Sequence, residues 1–161
     1  MLWRTVVAGV ALSLGACAAT DFETASLPDP ALPHTVNLVE EAQLQFTEGN
    51  FGRAVDTYAK TVESDPLNPE AWLGLAASYD QVGRFDEADK AYAKVQELVG
   101  QTPSVLNNLG YSYLLRGKLE QSRDTLLAAN RGDPGNPLIL NNIDVLNQRL
   151  ATLGRPPVVT N

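Results

Sequence analysis

Cysteine, histidine and basic residues are all scarce in this 161-residue sequence. The single cysteine, Cys17, excludes a disulfide bond within the chain. The single histidine, His34, excludes a metal site built on a pair of histidines. Lysine and arginine number 12 against 19 acids, and the net charge is −7. Because nucleic acid is bound through a basic face, this balance argues against a nucleic-acid partner.

Signs of catalysis are also missing. The sequence has no glycine-rich phosphate loop, no serine nucleophile elbow and no histidine placed to act as a triad base. Neighbouring acids such as Glu40 and Glu41 lie at adjacent positions, which point to different parts of a helix surface and do not form a catalytic pair. The sequence therefore predicts a protein that is not an enzyme and that has no cofactor.

A short apolar run near the N-terminus follows Arg4 and extends from Thr5 to Leu14. It is too short for a transmembrane helix, which needs roughly 20 residues, but it suits the apolar part of a secretory signal. Residues 14–17, Leu-Gly-Ala-Cys, resemble the bacterial lipobox. That resemblance implies a signal peptide of residues 1–16, cleavage before Cys17 and a covalent lipid on its sulfur. Two or more acyl chains would anchor the protein stably in a membrane.

Two other interpretations of this segment remain open. The leader could be a plain secretory signal that is cut near Ala16 or Ala19, or Cys17 could be an incidental buried residue. In the lipoproteins that the segment resembles, aspartate after the cysteine favours the inner membrane, and here that residue is Ala18. The resemblance therefore implies a bacterial envelope protein, anchored by lipid to the periplasmic face of the outer membrane.

Residues 17–34 differ in composition from the rest of the chain. They contain Pro28, Pro30 and Pro33, several acids and few apolar side chains. Closely spaced prolines favour an extended chain, which at roughly 3 Å per residue could reach on the order of 50 Å. We expect a flexible acidic tether that holds the folded part away from the membrane. Alternatively, Phe22 or Leu27 could pack against the folded part.

From residue 35 the sequence repeats with a period of 34 residues, in units 35–68, 69–102 and 103–136. The middle unit shows the pattern most clearly. Its first apolar set lies at i, i+3, i+4 and i+7, the spacing of one helix face, and a second such set follows a turn at Gly83. The two sets are Trp72, Leu75, Ala76 and Tyr79, and Phe85, Ala88, Tyr92 and Val95.

This period and pattern resemble the tetratricopeptide repeat. The resemblance implies an all-α fold, in which three helix-turn-helix units and a capping helix at 137–154 form a short right-handed superhelix. Glycine in each inter-helix turn and small residues at Ala42, Ala76 and Gly110 fit this fold. Polar residues, including Gln45 and Asn147, replace signature residues at the two ends and predict solvated end faces. We expect residues 155–161 to be disordered.

The first helices of tetratricopeptide units line a concave groove, so the resemblance also implies a binding surface. Apolar side chains and amides at these positions would suit an extended or helical peptide. Val39 and Leu73 could instead serve only to pack neighbouring units. The predicted groove residues are Val39, Gln43, Phe46, Leu73, Ala77, Asp80, Asn107, Asn108, Tyr111, Leu114, Asn141 and Val145.

Some relatives of this repeat bind carboxylate-terminated chaperone tails through a clamp of lysine, asparagine and arginine. The corresponding positions here lack the basic residues, so this sequence does not predict capture of such tails. These positions are Val39, Gln43, Gly74, Ser104 and Asn108.

Residues 106–117 and 136–142 are similar to the TadD lipoproteins of tight-adherence (Flp) pilus systems. That similarity implies a non-catalytic scaffold that helps to assemble the pilus or its secretin, and that binds a protein or peptide segment of this envelope machine. The alternative is an adaptor for outer-membrane protein insertion or for maintenance of the cell envelope and peptidoglycan, acting through the convex face or one end of the array.

Overall fold

A computed structural model of the chain describes the backbone of residues 34–160, with side chains from Leu38 onward. The predicted signal peptide, Cys17 and nearly all of the predicted tether lie outside the described residues. The lipid anchor and the tether therefore stay predictions.

Within the described residues the structure contains seven α-helices and no β-strand, which confirms the predicted all-α array. Consecutive helices pack in pairs, one pair in each stretch of 34 residues, and the seventh helix packs on the last pair. The first helix begins one residue before the first predicted unit. The helices are α1 (His34–Thr47), α2 (Phe51–Ser64), α3 (Pro69–Gln81), α4 (Phe85–Val99), α5 (Pro103–Leu115), α6 (Leu119–Gly132) and α7 (Pro137–Thr152).

The helices α3, α5 and α7 begin with the same local device, a polar capping residue followed by proline. At the start of α3 the side chain of Asn68 accepts a 3.0 Å hydrogen bond from the backbone N–H of Ala71. Thr102 and Asn136 cap α5 and α7 in the same way. The cap satisfies an N–H group that has no partner inside the helix, and the fixed φ of proline suits the first turn. The starts of these three helices are therefore encoded locally.

Glycine ends the first helix of each pair, as the sequence predicts. Gly83 has φ +74°, and the next residue, Arg84, donates its backbone N–H to the carbonyl oxygen of Tyr79 at 2.9 Å. A residue with a Cβ rarely adopts this left-handed conformation. Gly49 and Gly117 occupy the equivalent turns with φ +77° and +70°. Three turns of one geometry therefore join the helices of the three pairs.

Small residues at the helix crossings bring the two helices of a pair close together, also as predicted. Ala54, Ala76 and Ala88 have no exposed surface. At Gly110 in α5 an added Cβ would lie 2.7 Å from Cγ of Leu126 in α6, which is closer than van der Waals contact. The position therefore requires glycine for α6 to pack where it does.

The prediction of a solvated end face is wrong at Gln45 in α1. Its side chain is only 7% exposed, and its Oε1 accepts a 2.9 Å hydrogen bond from the hydroxyl of Thr57 in α2. Its Nε2 donates to the carboxylate of Glu41 at 3.0 Å. A buried amide is stable only when its polar atoms are bonded, and Thr57 and Glu41 provide those partners.

The segment after α7 differs from the predicted disorder at 155–161, because residues 155–160 are held against the array. The backbone N–H of Val158 donates to Oδ1 of Asn147 at 2.6 Å, and its carbonyl oxygen accepts from Nδ2 of the same residue at 3.1 Å. Val158 is buried in the same cluster as Ile139 and Leu146 of α7. Asn147 is accordingly half-buried where a solvated residue was predicted.

Candidate functional site

A cavity of about 640 Å³ lies along α1, α3 and α5, and we call it the main cavity. Phe46, Leu73 and Ala77 give it an apolar surface, and amide groups border that surface. Because Gln43 and Ser104 on its border are exposed, the cavity opens to solvent. Five predicted groove residues line it together: Gln43, Phe46, Leu73, Ala77 and Asn108.

Two smaller cavities continue the main cavity along the same side of the molecule. The middle cavity, of about 270 Å³, shares Phe46, Ala77 and Asn108 with the main cavity. The end cavity, of about 280 Å³, shares Tyr111 with the middle cavity and extends to Arg149 in α7. The three cavities therefore adjoin one another through shared lining residues, and together we call them the trough.

The trough contains nine of the twelve predicted groove residues, since Asp80, Tyr111, Leu114 and Val145 line the middle and end cavities. Apolar and aromatic surface with a few polar groups is the usual lining of a site that binds a peptide or small ligand. These nine predicted positions line the cavities, and their role in binding stays a prediction.

Val39, Asn107 and Asn141 lie off the trough. Val39 is 7% exposed and packs in the core cluster around Leu75, so the packing interpretation applies to it. Asn107 is 8% exposed because α7 crosses it, and its Oδ1 accepts a 2.9 Å hydrogen bond from Nδ2 of Asn142. Asn141 is exposed on α7 and lines none of the three cavities. These three predicted groove residues therefore lie outside the three cavities.

Asp80 lines the middle cavity, but its carboxylate is buried and already bonded. Tyr92 donates its hydroxyl to Oδ2 at 2.9 Å, and Ser112 donates its hydroxyl to Oδ1 at 2.8 Å. The guanidinium of Arg116 lies 3.4 Å from Oδ1. Burial raises the pKa of Asp80 above its ordinary value, outweighing the hydrogen bonds and Arg116, which lower it. Asp80 is therefore a structural group beneath the trough and is not free to contact a ligand.

Arg116 joins this buried carboxylate to the surface. Its guanidinium makes a 2.7 Å ion pair with Asp89 in α4 and donates a 2.7 Å hydrogen bond to the hydroxyl of Ser112. It also lies over the ring of Phe85, 4.9 Å from the ring centroid. Its side chain is 7% exposed, whereas that of Asp89 is 52% exposed. The hydrogen bond to Asp89 is the main cause that raises the pKa of Arg116, so this residue stays charged.

Tyr58 and Gly74 border the main cavity and were absent from the predicted groove. The ring of Tyr58 in α2 lies directly against Gly74 in α3, where an added Cβ would be 2.2 Å from Cζ. Burial raises the pKa of Tyr58 to about 12, and nearby Glu70 adds to the effect. An isolated glycine inside a helical pattern was the available signal, since it often marks a close approach.

The described part of the chain has neither a metal site nor a membrane span. No group of three or more histidine, cysteine, aspartate or glutamate side chains lies close enough to hold a metal ion there. None of the described helices combines the length and the apolar character needed to cross a membrane.

Comparison with known proteins identifies the architecture. The family model of the tetratricopeptide repeat matches residues 45–107, from α1 into α5. The first tetratricopeptide domain of Spaghetti (RPAP3), bound to the HSP90 peptide SRMEEVD, is similar with a TM-score of 0.61 and 23% identity, over 73% of this chain and 93% of that chain. The described residues therefore have the fold of a tetratricopeptide-repeat array.

Two further comparisons place the array among similar proteins. The type III secretion chaperone SycD of Yersinia enterocolitica, in complex with a peptide of the translocator YopD, has a TM-score of 0.60 and 18% identity, over 78% of this chain and 97% of that chain. Small glutamine-rich tetratricopeptide repeat-containing protein 2 of Mycosarcoma maydis is 22% identical over 77% of this chain. The array spans 35% or less of the length of the curated relatives that it matches.

The positions that correspond to the carboxylate clamp lie in the main cavity of the array, apart from Val39. Gln43, Gly74, Ser104 and Asn108 all line it, and none of them is basic. Glu70 is the one charged residue among those that line the main cavity in the described part of the chain. This part of the array can therefore offer apolar contact and amide hydrogen bonds, but no cation for an acidic tail.

Proposed function

We propose that this array is a non-catalytic, lipid-anchored scaffold that holds a segment of a partner protein in its trough. The observation that carries the proposal is the set of three adjoining cavities, which expose apolar side chains beside the amides of Gln43 and Asn108. Phe46, Leu73 and Tyr111 offer apolar contact, and Gln43 and Asn108 offer hydrogen bonds to a peptide backbone. A segment in an extended conformation would use both kinds of contact at once.

Similar solved arrays support a peptide as the ligand. The RPAP3 domain is bound to an HSP90 peptide, and SycD is in complex with a peptide of a translocator. Both are similar to this array in fold, at identities of 23% and 18%. For the present array we infer the same type of ligand, a short segment of a protein, because apolar side chains and amides line its trough together.

Two resemblances in the sequence support a cellular place for this binding. The lipobox resemblance at residues 14–17 supports a lipid on Cys17 and an anchor at the periplasmic face of the outer membrane. The similarity of residues 106–117 to TadD lipoproteins supports assembly of a Flp pilus or its secretin as the process. We propose that the anchored array holds a secretin or pilus segment while the machine is being assembled.

The lipid anchor has its own test. Cells expressing the wild-type chain or Cys17→Ser are fed a labelled palmitate analogue, and their membranes are separated. We expect label and outer-membrane fractionation only for the wild type, because Cys17 supplies the one thiol that the lipid needs. Labelling of the Cys17→Ser chain would reject the anchor while leaving the peptide-binding proposal intact.

Photo-crosslinking in cells tests the trough and its partner. The photo-reactive residue benzoyl-phenylalanine replaces Phe46 or Tyr111, which line the trough, or Tyr113, which lies on the same helix as Tyr111 but outside the three cavities. We expect crosslinks to a secretin from the first two positions and none from Tyr113. Barrel-assembly components in their place would favour the adaptor alternative. Crosslinks from Tyr113 alone would reject the trough as the binding surface.

A further inference from the structure

The two ends of the trough carry opposite charges. The main cavity is lined by Glu70 in the first turn of α3, and the end cavity is lined by Arg149 in the last turn of α7. Between them, the carboxylate of Asp80 pairs with Arg116 at 3.4 Å. Within the described residues neither Glu70 nor Arg149 makes an ion pair. Each is therefore free to meet a charge on a ligand.

Arg149 differs in this respect from several other arginines of the array. Arg84, Arg123 and Arg155 each pair with a glutamate on the surface. Arg149 is exposed, and it shares the end cavity with Tyr111, Leu114 and Val145. Apolar neighbours reduce the competition from water for an ion pair, so a carboxylate that entered this cavity would interact with Arg149 more strongly than on an open surface.

The separation of the two charges sets the length of the ligand. Glu70 is the second residue of α3 and Arg149 the thirteenth of α7, which corresponds to an offset of roughly 16 Å along parallel helices. Two steps between neighbouring helix axes, from α3 to α5 and from α5 to α7, add about 20 Å across them. The diagonal is then roughly 25 Å, which an extended chain covers with about eight residues.

We propose that the trough selects an extended segment of about eight residues with a defined direction and charge. The segment carries a carboxylate where it meets Arg149, apolar side chains in its middle, and a basic or uncharged residue where it meets Glu70. This inference rests on the proposed function, since it specifies the peptide that the same trough holds. It differs from a carboxylate clamp in the main cavity, because the cation is supplied by α7 at the opposite end.

Arg131 provides a matched control. It lies in the last turn of α6, as Arg149 does in α7, and it is exposed and lines none of the three cavities. A basic residue in the last turn also stabilises a helix through the helix dipole. Replacing either arginine by glutamate removes that contribution, so any effect that is confined to Arg149→Glu reports on the trough.

The test is a selection from a displayed library of random nine-residue peptides on the full chain, purified from membranes in detergent. We expect enriched peptides to have an apolar middle, an acidic residue toward one end and no acid toward the other. Arg149→Glu should weaken a selected peptide about tenfold, and changing the acid of that peptide to lysine should restore its binding. Arg131→Glu should leave the affinity unchanged. Peptides without an acidic end, or equal affinity for Arg149→Glu, would overturn the inference.

Failure of the proposed function gives a different result. Leu73→Glu places a charge in the apolar part of the main cavity and should abolish binding of every selected peptide. Peptides that bind Leu73→Glu as tightly as the wild type, or a selection without any enrichment, would reject the trough as a peptide site. A third result is possible, in which the selected peptides do not bind Leu73→Glu but bind Arg149→Glu as tightly as the wild type. That result would support the proposed function and would reject only the inferred direction and charge of the peptide.

Discussion

The hydroxyl of Ser112 in α5 donates a 2.8 Å hydrogen bond to Oδ1 of Asp80 in α3. The two residues are 32 positions apart and belong to consecutive repeat units, and both are buried. Arg116 from α5 and Tyr92 from α4 complete the contacts of the same carboxylate. A single buried aspartate thus joins three helices beneath the middle of the trough.

Asp80→Ala should lower the free energy of unfolding by about 3 kcal/mol, because it leaves two buried hydroxyls without their acceptor and removes the buried carboxylate from the guanidinium of Arg116. Asp89→Ala removes the exposed partner of the same arginine and should cost less than about 1 kcal/mol. Urea unfolding of both variants measures the difference. If the two variants lost similar amounts of unfolding free energy, the buried contacts of Asp80 would stabilise the fold no more than the exposed ion pair of Asp89 does.

Titration of Asp80 should make the free energy of unfolding depend on pH. Because burial raises its pKa, the folded protein binds this proton more tightly than the unfolded chain does. The resulting stability is fully present below the ordinary pKa of 3.8 and is lost as the pH rises through the higher pKa of the folded state. The unfolding free energy of the wild type minus that of Asp80→Asn should therefore be smaller at about pH 7 than at about pH 4. A difference that grows with pH would show that Arg116 outweighs burial.

Gly74→Ala should destabilise the array by about 1–3 kcal/mol, since the new methyl group would collide with the ring of Tyr58 and force it to move. Gly52→Ala is the control, because no atom lies within 4 Å of an added Cβ at that helical glycine. That variant should be neutral or more stable by up to about 1 kcal/mol, since alanine favours a helix. Thermal unfolding of both proteins gives the comparison. Stabilisation by Gly74→Ala would contradict the close contact with Tyr58.

Asn147→Ala should release the segment after α7. Two hydrogen bonds join the side chain of Asn147 to the backbone of Val158, and their loss should cost about 1–2 kcal/mol. Hydrogen exchange at the amide of Val158 should become faster, because that N–H loses its acceptor. Asn141→Ala, at an exposed position of the same helix, should change neither quantity. Unchanged exchange in Asn147→Ala would mean that burial of Val158 alone holds the segment.

Those parts of the array that depend on near neighbours in the chain could be predicted from the sequence. Asn68 followed by Pro69 starts a helix through a bond to Ala71, three residues later. Gly83 ends a helix because its own backbone adopts the left-handed conformation. Nine of the predicted groove residues line the trough. The sequence could place them because a 34-residue period fixes which side of the first helix of each unit faces the trough.

Contacts between distant parts of the chain explain why some residues are buried where the sequence predicted an accessible side chain. Asn107 has the right register for the groove, but Asn142, 35 residues later, covers it. Gln45 replaces a signature residue and was expected in solvent, yet Thr57 supplies a buried partner. No local pattern reports such a partner, because a polar residue has the same effect on helix periodicity whether its amide is solvated or bonded.

The link between Asp80, Ser112 and Arg116 also has a mechanical consequence. In a repeat array each unit contacts only its neighbours, so opening spreads from one interface to the next. The interface between the second and third units carries charged and polar groups that must all lose their partners together when it opens. Fraying that starts at either end of the array must therefore break this polar network before it crosses from one of these two units to the other.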